Sequence, residues 1–189
     1  MLCKKTEIIG LKRGTVILCS HSDKWSVYAE DTINELKNIL GSIAIDIQHV
    51  GSTSIKGIMA KPIIDIAVGV KSVDDMKYYT ERLKDIGVIF RGEVIAGQML
   101  FVKGDFEKDT RSHHIHVVEY NSKAWRDYVN FRDYLNTFSE KAKKYESIKI
   151  KLANMYPLDR KNYTEGKESL IHELLTEANL WKQDIDLMT

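Results

Sequence analysis

Residues 49–68 read HVGSTSIKGIMAKPIIDIAV, and the fold is decided in and around this stretch. Residues 63–70 are almost continuously apolar and β-branched, which is typical of a central strand covered on both faces. In residues 43–48, isoleucine alternates with smaller or polar residues, and this period of two predicts a strand with one face in the core. Because only the short loop 51–61 separates them, we expect 43–48 and 63–70 to be neighbouring strands of one mixed sheet.

The rest of the chain divides into a mixed part and a helical part. Apolar residues at helical spacing predict a helix over 25–40, which Gly41 can end, and a second helix is expected from the cap at Ser72 to about residue 86. Further strands are predicted at 16–19, 88–91, 98–103 and 112–119. Helices are predicted from Ser122 to about 136, from Ser139 to about 154 and over 167–181. We therefore expect one α/β (α+β) domain, 1–189, with a mixed-sheet core in 1–121 and a helical part in 122–189.

Composition limits the partners of this chain. Its 28 Lys and Arg against 27 Asp and Glu give a net charge of +1, so no overall positive field exists to hold long nucleic acid. No segment approaches the roughly 20 apolar residues of a membrane span, and no signal-like apolar run follows the N-terminus. Two cysteines, Cys3 and Cys19, predict no disulfide framework. We expect a cytoplasmic protein with no membrane partner.

The loop and Asp65 form the candidate site. An ionised carboxylate among isoleucines costs several kcal/mol of desolvation unless a partner offsets it, and a structural salt bridge is one such partner. Gly51, Ser52, Thr53 and Ser54 offer backbone N–H groups and hydroxyls that a phosphate can approach closely. A Gly-Ser pair that ends one strand, followed by an aspartate in the next, indicates phosphate handling more specifically than either feature alone.

This arrangement resembles the signature of the DNA polymerase beta-like nucleotidyltransferase superfamily, in which the turn holds nucleotide phosphates and carboxylates hold divalent metal ions. A finer resemblance, to the GrpB family, covers nearly the whole chain. It is carried by HVGSTSIKGIMAKPIIDIAV (49–68), HIHVVE (114–119), WRDYVNFRDYL (125–135) and YTEGKESLI (163–171). The resemblance implies a nucleotidyltransferase-like mixed sheet flanked by helices, with a C-terminal helical layer, but it names no substrate.

The chain departs from the superfamily pattern at Ala67, where a second carboxylate is expected two residues after Asp65. Transfer with two metal ions therefore does not follow from the resemblance. His114 and His116 alternate along a strand and face one side, where they are candidates to join Asp65 around Mg²⁺ or to contact phosphate. A half-exposed strand with polar alternation is the alternative. Glu119 is a further candidate metal ligand, although it lies on the opposite face.

Three further residues are also candidates for binding phosphate. Lys61, where the loop rejoins the sheet, offers an ammonium group, or it is a solvated lysine. Tyr163 and Lys167 are four residues apart at a helix start, either as a substrate-binding pair or as a surface pair. We expect Arg132 and Asp133 to form a structural ion pair in an amphipathic helix.

Two functions from different classes fit these residues. The first is metal-dependent transfer of a nucleotidyl group from a nucleoside triphosphate to a small acceptor, with Asp65 as the catalytic metal ligand and Gly51, Ser52 and Ser54 on the phosphates. The alternative is a non-catalytic protein that binds nucleotide or another phosphorylated ligand, its chemistry lost at Ala67. A third, weaker hypothesis is an interaction protein that uses its C-terminal helices. The acceptor, the base and the oligomeric state are not specified.

Overall fold

A computed structural model describes residues 2–3 and 9–188, without the side chains of Leu2 and Val94. The strands are β1 (Leu2–Cys3), β2 (Leu11–Lys12), β3 (Leu18–Cys19), β4 (Ala44–Val50), β5 (Ile64–Val70), β6 (Val88–Ile95), β7 (Gln98–Lys103), β8 (Thr110–Arg111) and β9 (His113–Glu119). The helices are α1 (Lys24–Leu40), α2 (Thr80–Asp85), α3 (Lys123–Thr137), α4 (Ser139–Met155), α5 (Arg160–Glu165) and α6 (Glu168–Met188). No helix in these ranges is long and apolar enough to cross a membrane.

The central sheet has five strands in the order β4-β5-β9-β7-β6. β4 and β5 are antiparallel neighbours, whereas β5 and β9 run parallel, so the sheet is mixed. This confirms the predicted α/β class and the predicted pairing across the loop 51–61. The two outer pairs, β1 with β3 and β2 with β8, are two-stranded.

The two faces of β5 are covered by different helices. One face consists of buried aliphatic side chains that belong to the same core cluster as α1: Ile64, Ile66, Val68 and Val70. The other face carries Asp65, Ala67 and Gly69, since side chains alternate along a strand. Trp125 of α3 covers Gly69 so closely that an added Cβ would lie 2.9 Å from its ring. Asp65 therefore points toward the C-terminal helices and away from the α1 core.

Several elements differ from the sequence prediction. The helix expected from Ser72 to about residue 86 begins as a 3₁₀ segment, Val73–Tyr79, and Ser72 makes no side-chain cap, so only Thr80–Asp85 is α-helical. The last helix continues to Met188, beyond the predicted end. The predicted cap at Ser122 is present, because its hydroxyl accepts a hydrogen bond from the Trp125 N–H at 3.2 Å.

The short helix α5 was not predicted. It has six residues, fewer than two turns, so it carries no apolar periodicity. Its cap is Asp159, whose side chain accepts a hydrogen bond from the Asn162 N–H at 3.1 Å. β9 and α3 lie on either side of residue 121, and we retain a single domain over 1–189, divided into 1–121 and 122–189, as a proposal.

Candidate functional site

A cavity of about 630 Å³ lies between the sheet and the helices α3, α5 and α6. The sheet contributes side chains from the ends of β4, β5 and β9: Val50, Asp65, His114 and His116, together with Gly51 and Ser52 of the loop. The facing wall is cationic near α5, with Lys61, Arg160 and Lys167, and more apolar toward α3 and α6. The cavity thus gathers residues from the predicted loop, strand and C-terminal helix.

Asp65 belongs to a hydrogen-bond chain that crosses from the sheet to α5. His114 Nδ1 lies 3.1 Å from Asp65 Oδ1, and Arg160 Nη2 lies 3.2 Å from His114 Nε2. Because arginine only donates, Nε2 accepts, and the proton of a neutral His114 is on Nδ1 and is donated to Asp65. Burial lowers the pKa of His114, although Asp65 acts in the opposite direction. Burial raises the pKa of Asp65, but the hydrogen bond from His114 and the closeness of His116 outweigh it and hold that pKa below its ordinary value.

His116 also faces Asp65, as the alternation along the strand predicts. Its Nε2 lies 3.7 Å from Asp65 Oδ1. The ring packs on Tyr128 of α3 with the centroids 5.0 Å apart. The structure therefore brings Asp65, His114 and His116 together on one wall of the cavity. Glu119 is exposed at the far end of β9, where it pairs with Val70, and it does not line the cavity.

The four predicted phosphate donors of the loop divide into two groups. Gly51 and Ser52 line the cavity. Thr53 is buried, with its Oγ1 2.9 Å from His49 Nε2, and the Ser54 hydroxyl donates to the Gly51 carbonyl oxygen at 2.6 Å. Thr53 and Ser54 therefore hold the turn in shape and do not line the cavity.

Glycine is required at position 51 by its backbone conformation and by its contact with Asp65. Its φ is +70°, in the left-handed region that favours glycine. A Cβ added at this position would lie 2.5 Å from Asp65 Oδ2 and 2.8 Å from Asp65 Cβ. The missing side chain therefore gives room to the carboxylate of Asp65, in addition to any approach by a ligand.

Three cations converge beside Tyr163. The Nζ atoms of Lys61 and Lys167 lie 5.1 Å and 4.7 Å from the centroid of the Tyr163 ring, and Arg160 is on the same short helix as that tyrosine. Burial, together with the positive charges of Arg160 and Lys167, lowers the pKa of Lys61 from 10.5 to about 7, although Asp65 opposes this. Burial also lowers the pKa of Lys167. Tyr163 is buried and does not line the cavity, so it supports the two lysines from behind.

Sequence reasoning missed Arg160 and Lys149. Arg160 precedes the family-like stretch 163–171 and lies on the unpredicted α5, so no pattern pointed to it. Lys149 is 1% exposed, and its Nζ donates to the Met59 carbonyl oxygen at 2.5 Å. Burial is the main cause that lowers its pKa to about 7. The only sequence signal for Lys149 was its position on the helix predicted to end near residue 154.

Arg132 and Asp133 have the structural role that the sequence predicted. Arg132 Nε donates to Asp133 Oδ1 at 2.7 Å. The same guanidinium donates through Nη1 to Gln48 Oε1 at 2.7 Å and to the His49 carbonyl oxygen at 3.0 Å. Arg132 therefore fixes α3 against the end of β4, directly before the loop.

The residues present do not fit a two-metal Mg²⁺ site. Within residues 2–3 and 9–188, no group of three or more His, Cys, Asp or Glu side chains is placed to hold a metal ion. Ala67 is fully buried in a cluster with Trp125, so the position of the missing carboxylate is closed by α3. The second carboxylate in the cavity, Asp127, is already bonded to Lys123 Nζ at 2.5 Å and to Asn179 Nδ2 at 2.8 Å.

The lowered pKa of Lys61 predicts that the protein becomes more stable as the pH rises. Because its pKa is about 7 in the folded protein and near 10.5 when unfolded, the unfolded chain binds more protons between these values. Below pH 7, the charged Lys61 therefore lowers the free energy of unfolding by its full amount. This penalty is lost as the pH rises from 7 toward 10.5. Relative to Lys61→Met, we expect the wild type to gain about 1–2 kcal/mol between pH 7 and pH 9, measured by urea unfolding. The exposed Lys56, as Lys56→Met, is the control. If the difference in unfolding free energy between the wild type and Lys61→Met changes with pH as little as the difference for Lys56→Met, this account is contradicted.

Known proteins resemble this chain over most of its length. A family model described as GrpB protein matches residues 15–177. The glutamate-rich protein GrpB of Alkalihalophilus pseudofirmus is 44% identical over 173 residues, which cover 90% of this chain and 99% of that protein. The UPF0157 protein YqkA of Bacillus subtilis is 35% identical over 164 residues, which cover 86% of this chain and 47% of that protein.

Solved structures are similar as well. The crystal structure of the conserved protein GrpB from Enterococcus faecalis matches with a TM-score of 0.81 at 28% identity, over 87% of this chain and 99% of that one. A structure of Cid1 poly(U) polymerase matches with a TM-score of 0.49 at 16% identity, over 71% of this chain and 43% of that one, a likeness too distant to bear on function. The Enterococcus protein therefore shares the fold described above.

Proposed function

The chain belongs to the GrpB family, and from the geometry of its cavity we propose that it binds a phosphorylated small molecule of the nucleotide class, with side-chain cations in place of Mg²⁺ on the phosphates. The observation that carries this proposal is the charge of the cavity. Lys61, Arg160 and Lys167 face it, whereas its carboxylates, Asp65 and Asp127, already have partners. A phosphate would neutralise this excess of positive charge.

Without a bound anion, the positive charges of the cavity cost the folded protein free energy, and this supports the same proposal. Burial is the main cause that lowers the pKa values of Lys61, Arg160 and Lys167. Nearby positive charge adds to it, from Arg160 at both lysines and from Arg13 and Arg111 at Arg160, so the folded protein holds these charges at a free-energy cost. Such clusters are typical of functional sites. An anion with two or more charges would remove the repulsion, so binding and stability are coupled here.

The rest of the cavity suits the remainder of such a ligand. Its volume of about 630 Å³ is within the roughly 300–1,000 Å³ of small-molecule sites. Away from α5, the wall includes Tyr128, Phe131, Ile171 and Leu175, and Gln98 also lines the cavity. Aromatic and aliphatic side chains of this kind pack against a planar or apolar group.

Metal-dependent nucleotidyl transfer has less support. The superfamily resemblance implies it, but the second metal ligand is replaced by the buried Ala67, and Asp65 is hydrogen-bonded to His114. Arg160 and the two lysines offer charge at the place where a metal ion would otherwise neutralise phosphate. A binding protein that retains the nucleotidyltransferase-like fold is therefore the function that we propose.

A thermal-shift panel tests this proposal. In EDTA, we expect ATP and inorganic pyrophosphate to raise the melting temperature by several degrees at saturating concentration, because a ligand at 100 times its Kd adds about 2.7 kcal/mol. Adenosine, which lacks phosphate, should give no shift. Lys167→Met should lose the effect, whereas the exposed Lys151→Met should keep it. A shift that appears only when Mg²⁺ is added would instead favour the metal-dependent function.

A further inference from the structure

We propose that Lys61 is a nucleophilic amine that forms an imine with a small phosphorylated aldehyde or ketone bound in the same cavity. The proposal rests on the proposed function, because the phosphate of this ligand would occupy the cationic wall. In the reaction, the Lys61 nitrogen forms a bond to the carbonyl carbon and the carbon–oxygen bond breaks. The oxygen leaves as water with the two amine protons, and the imine nitrogen then takes up one proton from solvent, so no oxidant or reductant is needed.

The position of Lys61 is the first observation. Its side chain lines the cavity at the point where the loop rejoins β5, and its Nζ lies over the Tyr163 ring, 5.1 Å from the centroid. Among the described residues, its Nζ forms neither a hydrogen bond nor an ion pair. The nitrogen lone pair of a neutral amine is therefore free to face a ligand.

The neighbouring charges are the second observation. Arg160 and Lys167 hold positive charge beside Lys61, and partial burial removes some of the water that would stabilise a third cation. With a pKa of about 7, a large fraction of Lys61 is neutral at neutral pH, whereas an ordinary lysine is neutral in fewer than about one molecule in a thousand. Desolvation and nearby cations are the means by which lysine is made nucleophilic in proteins.

The division of roles around Tyr163 is the third observation. Lys61 and Lys167 lie over the same ring, and Arg160 is on the helix that carries it. Arg160 and Lys167 can hold a phosphate while Lys61 faces the next part of the ligand. The protonated imine that forms is a cation, which the ligand's phosphate and the nearby Asp65 stabilise.

Pyridoxal 5′-phosphate is a suitable probe, because it combines an aldehyde with a phosphate and its imine absorbs visible light. The protein is incubated with the probe, reduced with borohydride and mapped by peptide mass spectrometry. We expect the adduct on Lys61 to exceed that on any other lysine at least tenfold. Lys61→Arg, which keeps a long basic side chain but forms no imine, should abolish it, and the exposed Lys71→Arg should leave it unchanged. Unphosphorylated pyridoxal should label Lys61 at least tenfold less.

A competition separates this inference from the proposed function. Inorganic pyrophosphate in excess should suppress the Lys61 adduct. The suppression should be proportional to the fraction of protein that has pyrophosphate bound, as judged from the thermal shift. If pyrophosphate stabilises the protein but Lys61 carries no adduct, the imine is wrong and phosphate binding stands. If pyridoxal labels Lys61 as well as its phosphate does, or if surface lysines or Lys167 carry the adduct instead, the inference is overturned.

Discussion

Gly51→Ala is expected to lower the free energy of unfolding by about 2–5 kcal/mol. Two costs combine in this variant. Alanine is strained at the φ of +70° that Gly51 adopts. Its Cβ would also lie 2.5 Å from Asp65 Oδ2, so either the loop or the carboxylate must move. Urea unfolding of both proteins measures the loss.

Gly57→Ala is the matched control for this prediction. Gly57 has a φ of +73°, but a Cβ there would meet no atom within 4 Å. It should therefore show the backbone cost alone, about 1–2 kcal/mol. The excess loss in Gly51→Ala combines the contact with Asp65 and the cost of the Gly51 backbone at ψ −172°. Equal losses would mean that the contact between Gly51 and Asp65 has no energetic importance.

Asp65→Asn is expected to lower the free energy of unfolding of the unliganded protein by about 2–4 kcal/mol. The carboxylate lies among His114, His116 and the three cations of the cavity, and its removal leaves their positive charge without an anion. The same change should leave pyrophosphate affinity equal or higher, because Asp65 and phosphate compete for the same positive field. Stability falls, and anion binding does not.

This pair of effects distinguishes the two functions. If Asp65 instead held a metal ion on which the phosphate depends, Asp65→Asn would weaken pyrophosphate binding. For the wild type and for Asp65→Asn, urea unfolding measures the free energy of unfolding, and calorimetric titration of the same preparation measures the pyrophosphate affinity. Glu119→Gln is the control: Glu119 is exposed at the other end of β9, and neither measurement should change.

Much of the sheet was predictable because its signals are local. The alternation in 43–48 and the apolar run 63–70 are properties of single strands, and the pairing of β4 with β5 was expected because only the loop 51–61 separates them. The same alternation places His114 and His116 on one side of β9. Elements with weak local signals were missed, and α5 is the clearest case, since it is too short to show periodicity.

The site was predictable where a side chain's direction follows from its strand. Asp65, His114 and His116 meet as the strand pattern suggests. The roles of Thr53 and Ser54 were not predictable, because hydroxyls that hold a turn and hydroxyls that bind phosphate look alike in sequence. Arg160 depends on how α5 packs against β9, which is a tertiary contact with no sequence signature.

Calorimetric titration of ATP in the presence of EDTA tests the central claim most directly, namely that side-chain cations hold the phosphates of a ligand. We expect binding without any divalent cation. We also expect a loss of roughly tenfold or more in affinity for Lys167→Met, since a hydrogen bond to a charged group contributes about 1.5–3 kcal/mol, with no loss for the exposed Lys151→Met. ATP binding that vanishes in EDTA and returns with Mg²⁺, or that is unaffected by Lys167→Met, would contradict the account.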